Sequence, residues 1–364
     1  MIPHEIEVYR AETLEELVSA WKQAVAAGRL PAYYGGGSEL LTLARDKRSS
    51  ANAMIDYKRV AEAQVWGTDA LPEMAAAAGA PQRVFGAGLR LNTVVDAAGS
   101  GLFACCAGGV ADRTVRNTIT LGGNICGMLA YREAVLPFLL LDGYVLSVGP
   151  ETDGLLVEPL ERVFSKRLVL SPGAAAVAFS VGEAELAGLG LLQSGAGAGG
   201  AGGAPAGGDA RAGDGARAGD GARAGDDAQA GDDAVHAGYG AVTATGRGAS
   251  GGWFYRRRTR DARLDYPLVT LAMAVLNGSW RVAVSGAWGY PVRAQRSEDL
   301  LNGEDAAARA RGAGPAALRE LCAAAVDAQG LRFRDDMRGS AEYRRELTIQ
   351  ALEEGLRTLG DGTA

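Results

Sequence analysis

Two glycine clusters flanked by polar side chains are the parts of this sequence best suited to holding a ligand. The first is GGGSE at residues 35–39, and the second is TLGGN at residues 120–124. Adjacent glycines let a backbone adopt positive φ angles and approach a ligand closely, because no Cβ stands in the way. Neither cluster is a Walker loop or a dinucleotide fingerprint, since neither contains GKS, GKT or GxGxxG. Taken alone, each cluster fits an ordinary tight turn better than a binding site.

The segments around the two clusters indicate how they would be positioned. Pro31–Tyr34 has the pattern of a strand, and Leu40–Arg45 that of the start of a helix. A strand, a glycine turn and a helix N-terminus together offer free backbone N–H groups to a phosphate. The second cluster follows a β-favouring run, Thr118–Leu121, and the apolar chain after it ends in a helix-like run, Ala134–Leu141. A polar turn in so apolar a segment indicates a buried ligand.

Composition excludes several classes of protein. The chain has 364 residues, enough for two modest domains, and a net charge of −6 without a separate basic block, which argues against nucleic-acid binding. No secretory signal and no apolar run of about 18 residues is present, so we expect a cytoplasmic protein that does not enter a membrane. Four cysteines without a CxxC or iron–sulfur spacing, and only two histidines, predict no metal site on this chain.

The order and spacing of the motifs resemble one family. GGGSELL, then MIDYKRV at residues 54–60, then TVRNTITLGGNICG and a helix that begins near Pro137 are similar to the FAD-binding subunit of xanthine dehydrogenase-type molybdenum hydroxylases. Carbon monoxide dehydrogenase medium subunits belong to the same group. The resemblance covers about residues 1–180 and resumes near Trp253. It implies an α+β fold with a two-part PCMH-type FAD-binding domain and a small C-terminal α+β domain of the carbon monoxide dehydrogenase flavoprotein type.

Three regions follow from this resemblance and from composition. The FAD-binding domain is predicted at residues 1–185, and the C-terminal flavoprotein domain at residues 253–362. Between them, residues 190–252 are rich in Gly, Ala, Asp and Arg, and they bury too little apolar surface to offset the entropy of ordering. We therefore predict a disordered insertion between two strands. The alternative is a docking tail for a partner.

The resemblance also implies which residues contact FAD. The first motif, expected at the pyrophosphate, supplies Gly35, Gly36, Gly37, Ser38, Glu39 and Leu40. The second motif supplies Arg116, Thr120, Leu121, Gly122, Gly123 and Asn124, with the arginine expected to orient the loop by hydrogen bonds. Two alternatives stay open: Glu39 as a solvated acid at a helix start, which suits the macrodipole, and Arg116 as a surface residue.

The chain departs from the commoner family pattern after the second motif. Relatives carry a Ser-Pro pair and then an Asp before the proline of the next helix, whereas this chain has GMLAYREAVLP at residues 127–137. Tyr131 and Glu133 are the nearest hydroxyl and acid, and we assign both to the nucleotide. In the C-terminal region, Arg258 and Asp265 match positions beside the flavin, although the arginine cluster also fits a charged strand edge.

The function implied is electron transfer without a catalytic acid or base on this chain. Electrons released at a molybdopterin large subunit would pass through [2Fe–2S] clusters on a small subunit to FAD here, and then to NAD+ or another acceptor. The flavin subunit does not touch the hydroxylated substrate. A sister enzyme that acts on an aldehyde, carbon monoxide or another N-heterocycle is therefore an alternative. A scaffold subunit that has lost the flavin is a third possibility, motivated by the altered loop and the long insertion.

Overall fold

The computed structural model of this chain describes residues 5–191, 241–260, 265–303, 306–307 and 312–360. Within these ranges the chain forms three sheets, each with its own helices. None of the described helices is both long enough and apolar enough to cross a membrane.

The first sheet carries the first glycine cluster. It is parallel, in the order β1-β3-β2, and consists of β1 (Glu7–Arg10), β2 (Pro31–Tyr34) and β3 (Ala53–Asp56). Helix α1 (Leu14–Ala26) connects β1 to β2, and α2 (Ser38–Arg45) follows β2 after the glycines. The Thr13 side chain accepts the Glu16 N–H and starts α1, as the sequence predicts.

The second sheet is antiparallel and holds most of the core. Its order is β4-β5-β8-β6-β7, with strands Trp66–Thr68, Gln82–Gly86, Tyr144–Val148, Leu155–Pro159 and Ala175–Gly182 numbered β4 to β8 along the chain. Its helices are α3 (Pro72–Ala78), α4 (Leu91–Ala98), α5 (Leu102–Gly108), α6 (Arg113–Arg116), α7 (Leu121–Cys126), α8 (Leu136–Leu140), α9 (Leu160–Val163) and α10 (Glu183–Gly188). Phe138 in α8 joins the sheet to the helices, since its ring lies 5.1 Å from Phe85 and 5.6 Å from Phe179.

The third sheet forms the C-terminal part of the molecule. It is antiparallel, in the order β13-β12-β11-β10-β9, with strands Ala241–Arg247, Gly251–Thr259, Pro267–Leu276, Ser279–Ser285 and Val292–Arg293 numbered β9 to β13. Helices that the structure describes in full beside this sheet are α11 (Gln295–Asn302), α12 (Pro315–Ala328) and α13 (Ala341–Gly360).

The third sheet is apolar on both faces, and this joins the two parts of the molecule. Side chains of one face, such as Phe254 and Met273, form a separate core with α12 and α13. Those of the other face, such as Trp253 and Tyr255, belong to the same core as the second sheet. The C-terminal sheet therefore lies directly against the N-terminal part of the molecule. The α+β fold with a two-part first domain agrees with the prediction from sequence.

Some predictions from sequence are wrong in detail. Ala241–Arg247 lies inside the predicted insertion but forms β9, which pairs with β10 along its whole length. The prediction of disorder for residues 192–240 falls outside the described residues. The apolar run at residues 168–170 has the pattern of a strand, but it makes only one isolated bridge, between Leu168 and Phe164. The spacing of apolar residues in α13 favours a core position for Tyr343, which is instead 51% exposed because it lies on the outer face of the helix.

Candidate functional site

The two glycine motifs, which are 85 residues apart in sequence, touch in the folded chain. A Cβ added to Gly35 would lie 2.5 Å from Thr120 Oγ1. One added to Gly36 would overlap the carbonyl oxygen of Thr118 and lie 3.1 Å from Ile119 Cα. The first loop is thus in direct backbone contact with the segment that leads into the second motif. Only glycine permits this approach, so both motifs build one site.

The first loop offers an array of free donors. Gly37 has φ +71°, in the left-handed region that favours glycine, and it turns the chain from β2 into α2. Within the part of the chain that the structure describes, the backbone N–H groups of residues 35–40 donate to no protein acceptor. The first turn of a helix needs such acceptors, and a phosphate provides them. Ser38 is exposed beside these groups. The loop therefore fits the pyrophosphate of FAD.

The second motif is built differently from its prediction. Thr118–Leu121 is not a strand, because the Thr120 side chain caps helix α7 by accepting the Gly123 N–H at 3.1 Å. The N–H groups of Leu121 and Gly122 donate to carbonyl groups of the loop after β5, at 2.8 Å each. Since these donors are already used, the motif shapes the site rather than binding phosphate.

The glycine pair in α7 has helical rather than positive φ angles, so conformational freedom is not the reason for it. A Cβ on Gly122 would lie 2.8 Å from the Ala87 Cβ and 3.1 Å from the Tyr57 hydroxyl oxygen. Gly122 therefore lets α7 pack closely against the loop after β5. Gly123 is exposed on the opposite side. It leaves an open backbone surface at which a ligand can lie.

Glu39 joins the first loop to the chain after α7. Both of its carboxylate oxygens accept the Met128 N–H, at 3.0 Å. The alternative of a merely solvated acid at a helix start is therefore wrong, because the carboxylate fixes the loop that departs from the family pattern. Asn124 has a similar role: its Oδ1 accepts the Ala134 N–H at 3.3 Å. Both side chains position backbone around the site.

Glu39→Leu is expected to weaken FAD binding about tenfold, because the free Met128 N–H no longer holds the loop after α7 in place. Glu39→Gln retains one acceptor oxygen and is expected to keep most of the affinity. Titration of the apoprotein with FAD, followed by flavin fluorescence, measures both. Glu73→Leu is the matched control, since Glu73 is an exposed acid in the first turn of α3 without such a bond. Equal affinities for Glu39→Leu and the control would contradict the linking role.

Arg116 orients the loop before α6, whereas the sequence analysis expects it to orient the loop of the second motif. Its guanidinium donates to Asn92 Oδ1 at 2.9 Å and to the carbonyl groups of Gly108, Val110 and Ala111 at 2.9, 3.1 and 2.7 Å. It is half-buried, so the alternative of a plain surface residue is excluded. These bonds aim the guanidinium into the protein, and a direct contact with FAD stays a prediction.

Arg132 is a functional residue that the sequence analysis missed. It is 3% exposed, and its guanidinium donates to the carbonyl groups of Ile125, Gly127 and Lys166 at 3.2, 2.9 and 2.5 Å. The ring of Phe164 lies 5.2 Å from its CZ atom. Arg132 thus fastens the end of α7 and the loop after it. The available signal was a pair of opposite charges, Arg132 and Glu133, in an otherwise apolar run, where each charge requires buried partners.

Tyr131 and Glu133, the two residues assigned in place of the missing Ser-Pro and Asp, are both buried, at 7% and 1% exposure. The Tyr131 hydroxyl has no hydrogen-bond partner among the described residues, and its ring centroid lies 5.2 Å from that of Tyr266. The Glu133 carboxylate lies 3.7 Å from the Arg257 Nε. Burial raises the pKa of Glu133, and the positive charge of Arg257 opposes that rise.

The structure does not bring Arg258 to Glu133. Alternate residues of β10 point to opposite faces, and Arg258 is paired with Val269, whose side chain belongs to the C-terminal core. Its neighbour Arg257 points to the first domain instead. Asp265 is half-buried rather than enclosed by apolar groups, and it forms an ion pair with Arg338 at 3.4 Å. Contact of either predicted residue with FAD stays a prediction.

Comparisons with known proteins agree with this arrangement. The family model described as the FAD binding domain in molybdopterin dehydrogenase matches residues 4–174. No curated protein matches the chain significantly.

Several solved structures have the same fold along the whole chain. One is carbon monoxide dehydrogenase from Hydrogenophaga pseudoflava in a form that lacks the Mo-pyranopterin moiety of the molybdenum cofactor; it has a TM-score of 0.66, 18% identity and 99% coverage of each chain. Reconstituted CO dehydrogenase from Oligotropha carboxidovorans has a TM-score of 0.66, 14% identity and 99% coverage of each chain. Quinoline 2-oxidoreductase from Pseudomonas putida 86 has a TM-score of 0.61 and 15% identity, with 100% of this chain and 99% of that chain covered.

The free N–H groups of the first loop and the glycine contacts between the two motifs are what a dinucleotide pyrophosphate requires. Residues 4–174 match the family of FAD-binding domains of the molybdopterin dehydrogenases, and the chain as a whole has the fold of the carbon monoxide dehydrogenase chains it matches.

Proposed function

We propose that this protein is the FAD-binding electron-transfer subunit of a xanthine dehydrogenase-type molybdenum hydroxylase. The observation that carries the proposal is the row of backbone N–H groups at residues 35–40, which lack protein acceptors and lie against the second motif. Such a row binds a pyrophosphate, the group that joins the two halves of FAD. The family of residues 4–174 specifies FAD among the possible dinucleotides.

Different residues of this chain bind the FAD pyrophosphate, position the surrounding loops and exclude water from the flavin. Residues 35–40 donate to the pyrophosphate, with the Ser38 hydroxyl as an additional donor. The exposed backbone at Gly123 lies along the nucleotide, and Glu39 and Arg132 keep the surrounding loops in place. Tyr131, at the boundary with the C-terminal domain, screens the flavin end from water. Bound FAD supplies the electron-transfer chemistry, while the protein positions it and controls access.

The partners follow from what the holoenzyme needs. We propose that a small subunit with [2Fe–2S] clusters delivers electrons, that a molybdopterin large subunit releases them from substrate, and that NAD+ or another acceptor removes them. The four cysteines of this chain are free thiols. They suit a subunit that relies on its partners for clusters, and the reducing cytoplasm is the proposed compartment.

A sister enzyme is the second candidate. The matched structures include carbon monoxide dehydrogenase and quinoline 2-oxidoreductase, whose names point to substrates other than xanthine, but a shared fold of the flavin subunit does not select among these substrates. The substrate pocket belongs to the large subunit, so assay of the purified complex with xanthine, aldehydes, carbon monoxide and N-heterocycles separates these candidates.

The visible absorption spectrum of the purified chain tests the flavin assignment. We expect flavin bands without iron–sulfur absorption, and release of FAD rather than FMN after heat denaturation, identified by mass spectrometry. A colourless protein that fails to take up added FAD would support a scaffold subunit instead. Iron–sulfur absorption from this chain alone would contradict the proposed division of cofactors among subunits.

Saturation with FAD is expected to slow the reaction of Cys126 with N-ethylmaleimide at least about tenfold. Cys126 is exposed at the C-terminal end of α7, one helical turn from Gly123, so the bound nucleotide covers it. Burial of the sulfur by the surrounding protein raises the pKa of Cys126 to about 12, and the reaction is therefore slow. The comparison with and without FAD accordingly uses initial rates of labelling. Cys106 and Cys322 are buried and serve as internal controls. Labelling of Cys126 at the same rate with and without FAD would place the cofactor elsewhere.

A further inference from the structure

We infer that Arg257 is a positioning residue that fastens two loops of the flavin site to each other across the boundary between the domains. The inference rests on the proposed function and adds to it a residue that the resemblance does not assign. Arg257 lies in β10 of the C-terminal sheet, on the face that packs against the first domain. It is 4% exposed, so its charge requires close partners.

The guanidinium of Arg257 has partners on both loops. Its Nε lies 3.7 Å from a carboxylate oxygen of Glu133, which belongs to the loop after α7. Its terminal nitrogen donates to the carbonyl oxygen of Asp265 at 2.5 Å, in the segment that enters β11. Arginine suits this position because its extended planar guanidinium can lie beside a carboxylate with one nitrogen while another nitrogen donates to a carbonyl group, whereas lysine offers only a single compact ammonium group.

Each of these loops carries a tyrosine, and the two rings meet. Tyr131 lies two residues before Glu133, and Tyr266 directly follows Asp265. Their ring centroids are 5.2 Å apart. Tyr131 is buried with an unpartnered hydroxyl, whereas Tyr266 is 48% exposed, so the pair runs from the interior to the surface. Because Arg257 contacts the Asp265 carbonyl beside one tyrosine and the Glu133 carboxylate near the other, it sets how the pair meets the flavin end of the site.

The neighbouring arginine of the same strand provides a matched control. Arg256 points to the opposite face, where it forms an ion pair with Glu354 of α13 at 3.2 Å. Its side chain is 12% exposed and that of Glu354 is 36% exposed. A substitution there alters the same strand and removes the same charge without reaching either loop of the flavin site.

The experiment uses the full chain in four forms: wild type, Arg257→Met, Arg257→Met with Glu133→Gln, and Arg256→Met. The double variant is essential, because Arg257→Met alone leaves a buried carboxylate without its counter-charge and destabilises the fold. Removing both charges restores stability but leaves the loops unlinked. The melting temperature, the Kd for FAD, the visible circular dichroism of bound flavin, and amide exchange of residues 127–135 and 265–268 in the apoprotein are compared.

The double variant is expected to recover the melting temperature while it binds FAD about tenfold more weakly than wild type and alters the flavin dichroism. Amide exchange should become faster in both segments, and Arg256→Met should match wild type in FAD affinity, dichroism and exchange. Wild-type affinity and dichroism in the double variant would overturn the inference, because Arg257 would then serve only to balance a charge. A wild-type chain without FAD binding would overturn the proposed function, and with it the part of this inference that concerns the flavin. Faster exchange in both segments would then still show that Arg257 links the loops.

Discussion

Gly36→Val is expected to abolish FAD binding, with a Kd at least about a hundredfold higher than that of wild type. The added Cβ would overlap the carbonyl oxygen of Thr118 and lie 2.7 Å from its carbonyl carbon. The obstructing atoms are backbone, so no side-chain rotation relieves the clash. The first loop has to move away from the second motif, and the N–H groups of residues 35–40 then no longer converge on one phosphate. Equilibrium dialysis against FAD measures the loss.

The valine side chain in Gly36→Val would clash with the protein backbone and would also occupy space that the ligand needs. We therefore expect a lower melting temperature in addition to the loss of FAD binding. This differs from the view that sequence alone gives, in which the new side chain meets only the pyrophosphate and the fold is unaffected. Gly36→Ala isolates the Cβ effect, and Gly289→Ala is its control, since nothing lies within 4 Å of a Cβ at that exposed position. A Gly36→Val protein that retained stoichiometric FAD would refute the placement of the site.

The sequence predicts the first loop correctly because its signal is local. A strand, three glycines and a helix start dictate a turn with free N–H groups, whatever the rest of the chain does. The second motif misleads because Thr118–Leu121 has high strand propensity. A single side-chain hydrogen bond, from the Gly123 N–H to Thr120 Oγ1, starts a helix there instead. Tertiary contacts of the Leu121 and Gly122 N–H groups with the loop after β5 complete it. These contacts cannot be seen in the local sequence.

The choice between adjacent arginines also lies beyond local sequence. Side chains alternate along a strand, so Arg257 and Arg258 lie on opposite faces of β10. Earlier in the same strand, Trp253 lies on one face and Phe254 on the other, so both faces are apolar. A strand buried on both sides therefore gives no indication of which face meets the first domain. The resemblance singled out Arg258, whereas the partners Glu133 and the Asp265 carbonyl belong to Arg257.

The edge strand β9 could not be predicted from local sequence either. Ala241–Arg247 keeps the Ala, Gly and Arg of the preceding low-complexity tract and adds three β-branched residues, Val242, Thr243 and Thr245, but no large apolar side chain. It is ordered because it pairs with β10, which supplies backbone hydrogen bonds regardless of side-chain type. Its Arg247 also donates to the carbonyl group of Thr358 at 2.7 Å, in the last turn of α13. A composition-based boundary necessarily includes such a strand in the insertion.

Arg132→Met is the second substitution for which we expect a large effect. Arg132 makes three charge-assisted hydrogen bonds to carbonyl groups, at Ile125, Gly127 and Lys166, and it is nearly fully buried. Loss of such bonds at buried acceptors is expected to lower the free energy of unfolding by about 2–4 kcal/mol, to be measured by urea denaturation of the apoprotein.

The same substitution is expected to raise the Kd for FAD at least about tenfold, because the carbonyl groups of Ile125 and Gly127 fix the end of α7 and the exposed backbone beside it. Arg132→Lys keeps the charge but cannot reach three acceptors, so it should recover stability only in part. Arg113→Met is the matched control: the Arg113 ion pair with Asp96 is 67% and 57% exposed, so its loss should change little. If Arg132→Met were destabilised but bound FAD as tightly as wild type, the loop after α7 would lie outside the flavin site. The placement of Tyr131 beside the flavin would then fail as well, since Tyr131 belongs to that loop.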